Sequence, residues 1–123
     1  MFAKLAKEFW PGPLTIVLKA NLDLIPTMIT ANTGYVGVRM PNHPIAIELI
    51  TLSGLPIAAP SANKFGHVSP TKASHVLTDF ALNDVTIIDG GPTSVGIEST
   101  VAKLIETEAG VTIYILRRGG VSQ

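Results

Sequence analysis

Polar residues able to do chemistry stand where the apolar runs of this sequence end. Ser61 and Asn63 follow the apolar stretch 55–60, which stops at Pro60-Ser61-Ala62-Asn63. A hydroxyl and a carboxamide at that spacing can donate to phosphate or nucleotide oxygens. A Ser/Asn turn that bonds its own backbone is the plainer alternative. The small residues Ala58, Ala59 and Ala62 would let a ligand approach the main chain. Ser69, just before Pro70, suits a helix N-cap, and helix N-termini also attract anions. Arg39 closes another apolar run, and a guanidinium there can fork onto a carboxylate. A surface ion pair is the bland reading of Arg39 and is worth little. The chain has three arginines, Arg39, Arg117 and Arg118, which favours a dedicated role for Arg39.

Other chemistries fit poorly. His43, His67 and His75 lack metal-ligand spacing, and His43 and His75 read as helix-start and helix-surface residues. The glycines from Gly91 to Gly96 superficially suggest a phosphate loop, but Ile97-Glu98 follows, without the lysine a Walker-type loop requires. They read as turn formers. The chain has no cysteine, hence no disulfide framework, thiolate metal site or cysteine nucleophile, in keeping with a cytoplasmic protein. Nine Lys+Arg balance nine Asp+Glu, whereas a duplex-binding module usually carries a basic excess. No apolar stretch approaches the roughly eighteen residues of a membrane span, and no signal peptide is visible.

These residues need a scaffold, and 123 residues suit one domain with a core. Phe2, Leu5, Ala6 and Phe9 have helical spacing. Pro11-Gly12-Pro13 ends that helix and Trp10 supplies a packed ring, so the segment reads as structural. Strands are predicted at 14–20 and 35–39, around a loop with a helical turn near Pro26. A helix starts at Pro44 and closes at Gly54. A strand buried on both faces is predicted at 57–59, which would put Ser61 and Asn63 past its carboxyl end, where ligands tend to bind in open α/β sheets. Ser69-Pro70 opens a further helix with Val76, Leu77 and Phe80 inward. A buried strand at 85–88 ends in the Asp89-Gly90-Gly91 turn, and 100–105 with 111–116 form a hairpin around 106–110. The sum is an α/β fold with a mixed twisted sheet. The pattern begins inside a helix and stops shortly after a strand, as an excerpt would.

Five segments in this order resemble the YrdC/Sua5 family of threonylcarbamoyl-AMP synthases. They are Phe9-Trp10-Pro11-Gly12-Pro13-Leu14-Thr15, Val38-Arg39-Met40-Pro41-Asn42-His43-Pro44, Pro60-Ser61-Ala62-Asn63 with Ser69-Pro70-Thr71, Asp89-Gly90-Gly91 with Gly96-Ile97-Glu98-Ser99-Thr100-Val101, and Ile115-Leu116-Arg117. The resemblance implies a YrdC/RibB-like domain over 1–123, as its larger C-terminal part. The family's basic Lys-x-Arg signature upstream does not occur, and Arg117-Arg118-Gly119 stands where the family usually has Arg-Pro-Gly.

By resemblance, Ser61, Asn63, Ser69, Arg117 and Tyr35 contact ATP. Arg39 grips the carboxylate of L-threonine, with Ala59 and Ser99 lining that pocket. Glu98 and Thr100 support loop and strand, and Arg118 is solvated. The implied reaction joins threonine nitrogen to bicarbonate as a carbamate, whose oxygen attacks the α-phosphorus of ATP as pyrophosphate leaves. Mg²⁺ bridges phosphate oxygens, no protein nucleophile is needed, and the product serves the t6A modification of tRNA. The side chains at 39, 61, 63, 99 and 117 are expected to converge on one hollow. Two other readings follow: a module for double-stranded RNA or tRNA without catalysis, and a carbamoyl-transfer domain like that of hydrogenase maturation proteins. Self-association through an open apolar face is also expected.

Overall fold

The computed structural model describes residues 1–81, 84–94 and 96–121. They belong to two compact units, Met1–Pro56 with Ile97–Gln123, and Ile57–Gly96.

The first unit is organised by a four-stranded mixed sheet. Its elements are α1 (Phe2–Phe9), β1 (Leu14–Lys19), β2 (Tyr35–Val38), α2 (Pro44–Ser53), β3 (Thr100–Thr107) and β4 (Gly110–Arg117). The strand order is β2-β1-β3-β4, with β1 parallel to β3 and the two outer pairs antiparallel. Period-two alternation sends Leu14 and Ile16 of β1 and Ala102 and Leu104 of β3 to one face, where all four are buried. Leu5, Phe9 and Trp10 pack onto that core, so the apolar stripe of α1 covers it. The Trp10 indole Nε1 donates to the Leu14 carbonyl at 2.7 Å and its ring meets Phe2 edge-on, which bears out its structural role. At the end of α2, Gly54 adopts φ 65°, a left-handed cap that suits glycine. In β4, Ile113, Tyr114, Ile115 and Leu116 remain exposed.

Gly119 has a steric reason to be glycine. A Cβ there would overlap the Glu98 carbonyl oxygen and the Ser99 backbone, neither of which can swing aside. Gly119→Ala should therefore cost about 1–3 kcal/mol, read as a melting temperature lower by roughly 4–8 °C per kcal/mol. An unchanged melting curve would show that the segment after β4 is not seated as described.

The second unit departs from expectation. No described residue of 57–59 or 85–88 is in a strand. A short apolar run becomes a strand only where a neighbouring ladder takes its backbone groups, and the four-strand order contains neither run. Ile57 and Ile88 are accordingly exposed, so a strand buried on both faces is overturned. The helix expected from Ser69-Pro70 starts later, as α3 (Ala73–Asp79), with Lys72 at its N-cap position. Thr71 is engaged elsewhere: its N–H reaches His75 Nδ1 at 3.3 Å and its carbonyl accepts from Thr93 N–H at 2.9 Å. Leu77, expected inward, is exposed.

Candidate ligand-binding site

Opposite its core face, the sheet of the first unit carries polar side chains set among Val17, Val101 and Ile105. Thr15, Tyr35, Gly37, Lys103 and Arg117 lie on this second face. A Cβ on Gly37 would touch the methyls of Thr15 and Val17, and Lys103 Nζ lies 3.6 Å from the centroid of the Tyr35 ring, a cation–π contact. At one end of the sheet β1 and β3 begin while β2 and β4 finish, so four strands bring polar groups together. Arg117, paired with Val101, donates from Nε to the Ser99 carbonyl at 3.0 Å and from Nη2 to Ser99 Oγ at 3.1 Å. Nη2 also reaches Glu98 Oε2 at 3.4 Å. Ser99 Oγ lies 2.7 Å from Thr15 Oγ1. Ser99 is only 5% exposed, so its hydroxyl serves this network first and offers little surface to a ligand. Thr100 is buried too, its N–H bonded to the Pro13 carbonyl and its Oγ1 accepting from Val121 N–H. That is the supporting role expected of it.

Arg39 leaves β2 at the same end, since Val38 pairs with Ile16. Its Nε donates to the Gly12 carbonyl at 3.0 Å, and Gly12 N–H returns a bond to the Met40 carbonyl at 2.9 Å. With Nε committed, Nη1 and Nη2 remain as an end-on fork of the kind that holds carboxylates. Among the described residues Arg39 has no ion-pair partner.

In the second unit the polar residues form a turn. Asn63 Nδ2 donates to the carbonyls of Lys64 at 3.0 Å and His67 at 2.8 Å. Asp79, the last residue of α3, accepts from Lys64 N–H at 3.0 Å and bonds His67 Nδ1 at 2.6 Å. The Lys64 N–H is the main reason that its carboxyl is held below the usual 3.8. The His67 bond and the charges of His67 and Lys64 add to this, while burial opposes it. A carboxyl depressed in the folded state contributes stability above its unfolded value and loses it as pH falls through the folded one. The turn is therefore latched at neutral pH and released in strong acid. Ser61 and Ala59 are exposed and Ser69 is half-buried. A shallow hollow of about 190 Å³ lies among Thr71, Val76, Ile88, Asp89, Gly91 and Thr93. It includes neither Ser61 nor Asn63 and is too small for a nucleotide.

A family profile described as Sua5/yciO/yrdC, telomere recombination, matches residues 1–119. The chain belongs to the Sua5/YciO/YrdC family. It is 52% identical over 117 residues to the threonylcarbamoyl-AMP synthase of Pyrococcus abyssi, covering 95% of this chain and 33% of that protein. The enzyme of the same name from Bacillus subtilis is 47% identical over 119 residues, with 97% and 33% covered. A crystal structure of P. abyssi Sua5 complexed with L-threonine matches at 50% identity and a TM-score of 0.85, covering 97% of this chain and 34% of that one. The chain thus spans about a third of the length of these relatives.

Of the residues that Sua5/YrdC resemblance singled out, Arg39, Ser99, Arg117 and Tyr35 share the first unit, with Ser99 and Arg117 in contact. Ala59, Ser61, Asn63 and Ser69 fall in the second. Thr15 and Lys103 were missed. Strand alternation could have found both, because Leu14-Thr15-Ile16 and Ala102-Lys103-Leu104 each set one polar residue between two core residues.

Proposed function

We propose that the chain carries threonine- and nucleotide-recognition groups of L-threonylcarbamoyladenylate synthesis. The reading is carried by the sheet end where Arg39 presents an end-on fork beside the Thr15–Ser99–Arg117 network. Its support is the similarity to a Sua5 with L-threonine bound. Arg39 would hold the threonine carboxylate, orienting the amine for addition to bicarbonate. The resulting carbamate oxygen attacks the α-phosphorus of ATP and pyrophosphate leaves. Arg117, half-exposed beyond its bonds to Ser99, would face the charge that develops on phosphate oxygens. In the second unit the 61–69 segment would take nucleotide. Mg²⁺ would enter on the triphosphate. Among the described residues no cluster of three His, Cys, Asp or Glu fits a metal ion, and no step here passes through a protein-held one. No described helix is long and apolar enough to cross a membrane. The adenylate would supply t6A modification of tRNA in the cytoplasm.

Calorimetric titration tests this. ATP and L-threonine should each bind saturably, and a fixed excess of one should tighten the other, since coupling is reciprocal. Failure of both to bind, with salt-sensitive uptake of double-stranded RNA, would favour the RNA module instead.

A further inference from the structure

We infer that His67, oriented by Asp79, supplies the anion-contacting donor of the 61–69 segment. The inference rests on the nucleotide reading above and assigns the group in that segment that meets phosphate. Asn63 is the obvious donor by sequence, yet both hydrogens of its Nδ2 are spent on the Lys64 and His67 carbonyls. Flipping the amide would set Oδ1 against those two carbonyl oxygens, so the orientation is fixed by chemistry. What Asn63 retains is Oδ1, buried and without a partner. A carbonyl oxygen only accepts, and an ionised phosphate offers it nothing.

The turn that Asn63 closes presents another group. Asp79 is 9% exposed at its side chain, whereas His67 is 56% exposed. One carboxylate therefore holds both ends of the turn, through Lys64 N–H and through His67 Nδ1. With Nδ1 bonded to a carboxylate, Nδ1 carries a proton and the ring orientation is set. The other nitrogen, Nε2, then belongs to a ring more than half open to solvent. Once protonated, Nε2 donates a charge-assisted bond of the kind that phosphate oxygens accept. Asp79 of α3 bonds the ring directly, and Lys64 lies in the same turn, its charge also acting on Asp79. His75 is occupied with Thr71. Lys64 offsets the Asp79 carboxylate, so a protonated His67 leaves the turn net positive, and a polyphosphate rather than a neutral sugar or base is the ligand chemistry favoured.

Binding of ATP and of inorganic tripolyphosphate to the whole chain is measured by calorimetry for the native protein and three variants in one buffer. His67→Gln should bind both anions about tenfold more weakly than the native chain, as expected for one charge-assisted bond lost. His67→Lys, a permanent cation, should bind both anions within about twofold of the native chain. Asp79→Asn keeps a polar partner but loses the carboxylate that orients the ring, and should weaken binding of both anions while leaving it saturable. If His67→Gln melts earlier yet keeps native affinity, the pair is a latch for the turn and the inference fails. Tripolyphosphate binding without ATP binding would end the nucleotide reading and leave the role of His67 standing. Binding of neither overturns both.

Discussion

Arg117→Ala is expected to weaken ATP binding by about a hundredfold, on the scale seen when a preorganised electrostatic donor is removed. The guanidinium serves two ends. It donates to the Ser99 carbonyl and hydroxyl and pairs with Glu98, and it is the cation at this end of the sheet tied to the Thr15–Ser99 hydroxyl pair. Truncation leaves the Ser99 carbonyl, on a residue 5% exposed, without that donor, a loss worth about 1–3 kcal/mol. The charge that would face phosphate is lost as well. Arg117→Lys separates the two effects. It restores a positive charge but cannot donate from Nε and Nη2 in one plane, so it should regain only a minor part of the affinity. Circular dichroism on each variant shows whether the sheet survives, and a folded Arg117→Ala chain with native ATP affinity would refute the role.

Element identity in the first unit could be read from the sequence because local pattern and tertiary burial agree there. The helical spacing of Phe2, Leu5 and Phe9, the alternation around Leu14 and Ile16, and the proline and glycine that bracket α2 all recur in the structure. The second unit was harder because its pattern needed partners that the sequence does not reveal. Ile57-Ala58-Ala59 has strand composition, but pairing decides strand formation and no ladder reaches it. Val85 and Ile87 are half-buried while Thr86 and Ile88 are exposed, so the alternation read from the sequence persists where the strand does not form. Ser69 looked like a cap from composition alone. The bond from Thr93 N–H to the Thr71 carbonyl is a tertiary event that no local rule contains.

The site was legible to a similar degree. Residue type and position drew attention to Arg39, and strand order explains how it shares a sheet end with Ser99 and Arg117. Thr15 carries no polar signal of its own in the sequence, because a threonine in a strand ordinarily reflects β-propensity. Only its 2.7 Å approach to Ser99 marks it as part of a polar network. Lys103 was missed for a related reason: a lone lysine between core residues reads as a solvated face until the Tyr35 ring is found beneath it.

Arg39→Ala should abolish threonine binding at concentrations that saturate the native chain, a loss of about two orders of magnitude, as expected for a bidentate charge-assisted pair. Arg39→Lys should recover little of it. The geometry explains why charge alone is insufficient. Nε is held by the Gly12 carbonyl at 3.0 Å, which fixes the guanidinium plane and leaves Nη1 and Nη2 side by side for the two carboxylate oxygens. A lysine ammonium reaching for Gly12 would have one nitrogen to divide between that carbonyl and the ligand. It would lose either the anchor or the fork. ATP affinity measured without threonine should stay within about twofold in both variants, because no nucleotide contact is assigned to Arg39. Threonine-enhanced ATP binding should disappear together with threonine binding, since the coupling has no ligand left to carry it. Equal loss of ATP and threonine affinity in a folded Arg39→Lys chain would show instead that Arg39 holds the Gly12 turn in place, with the fork incidental.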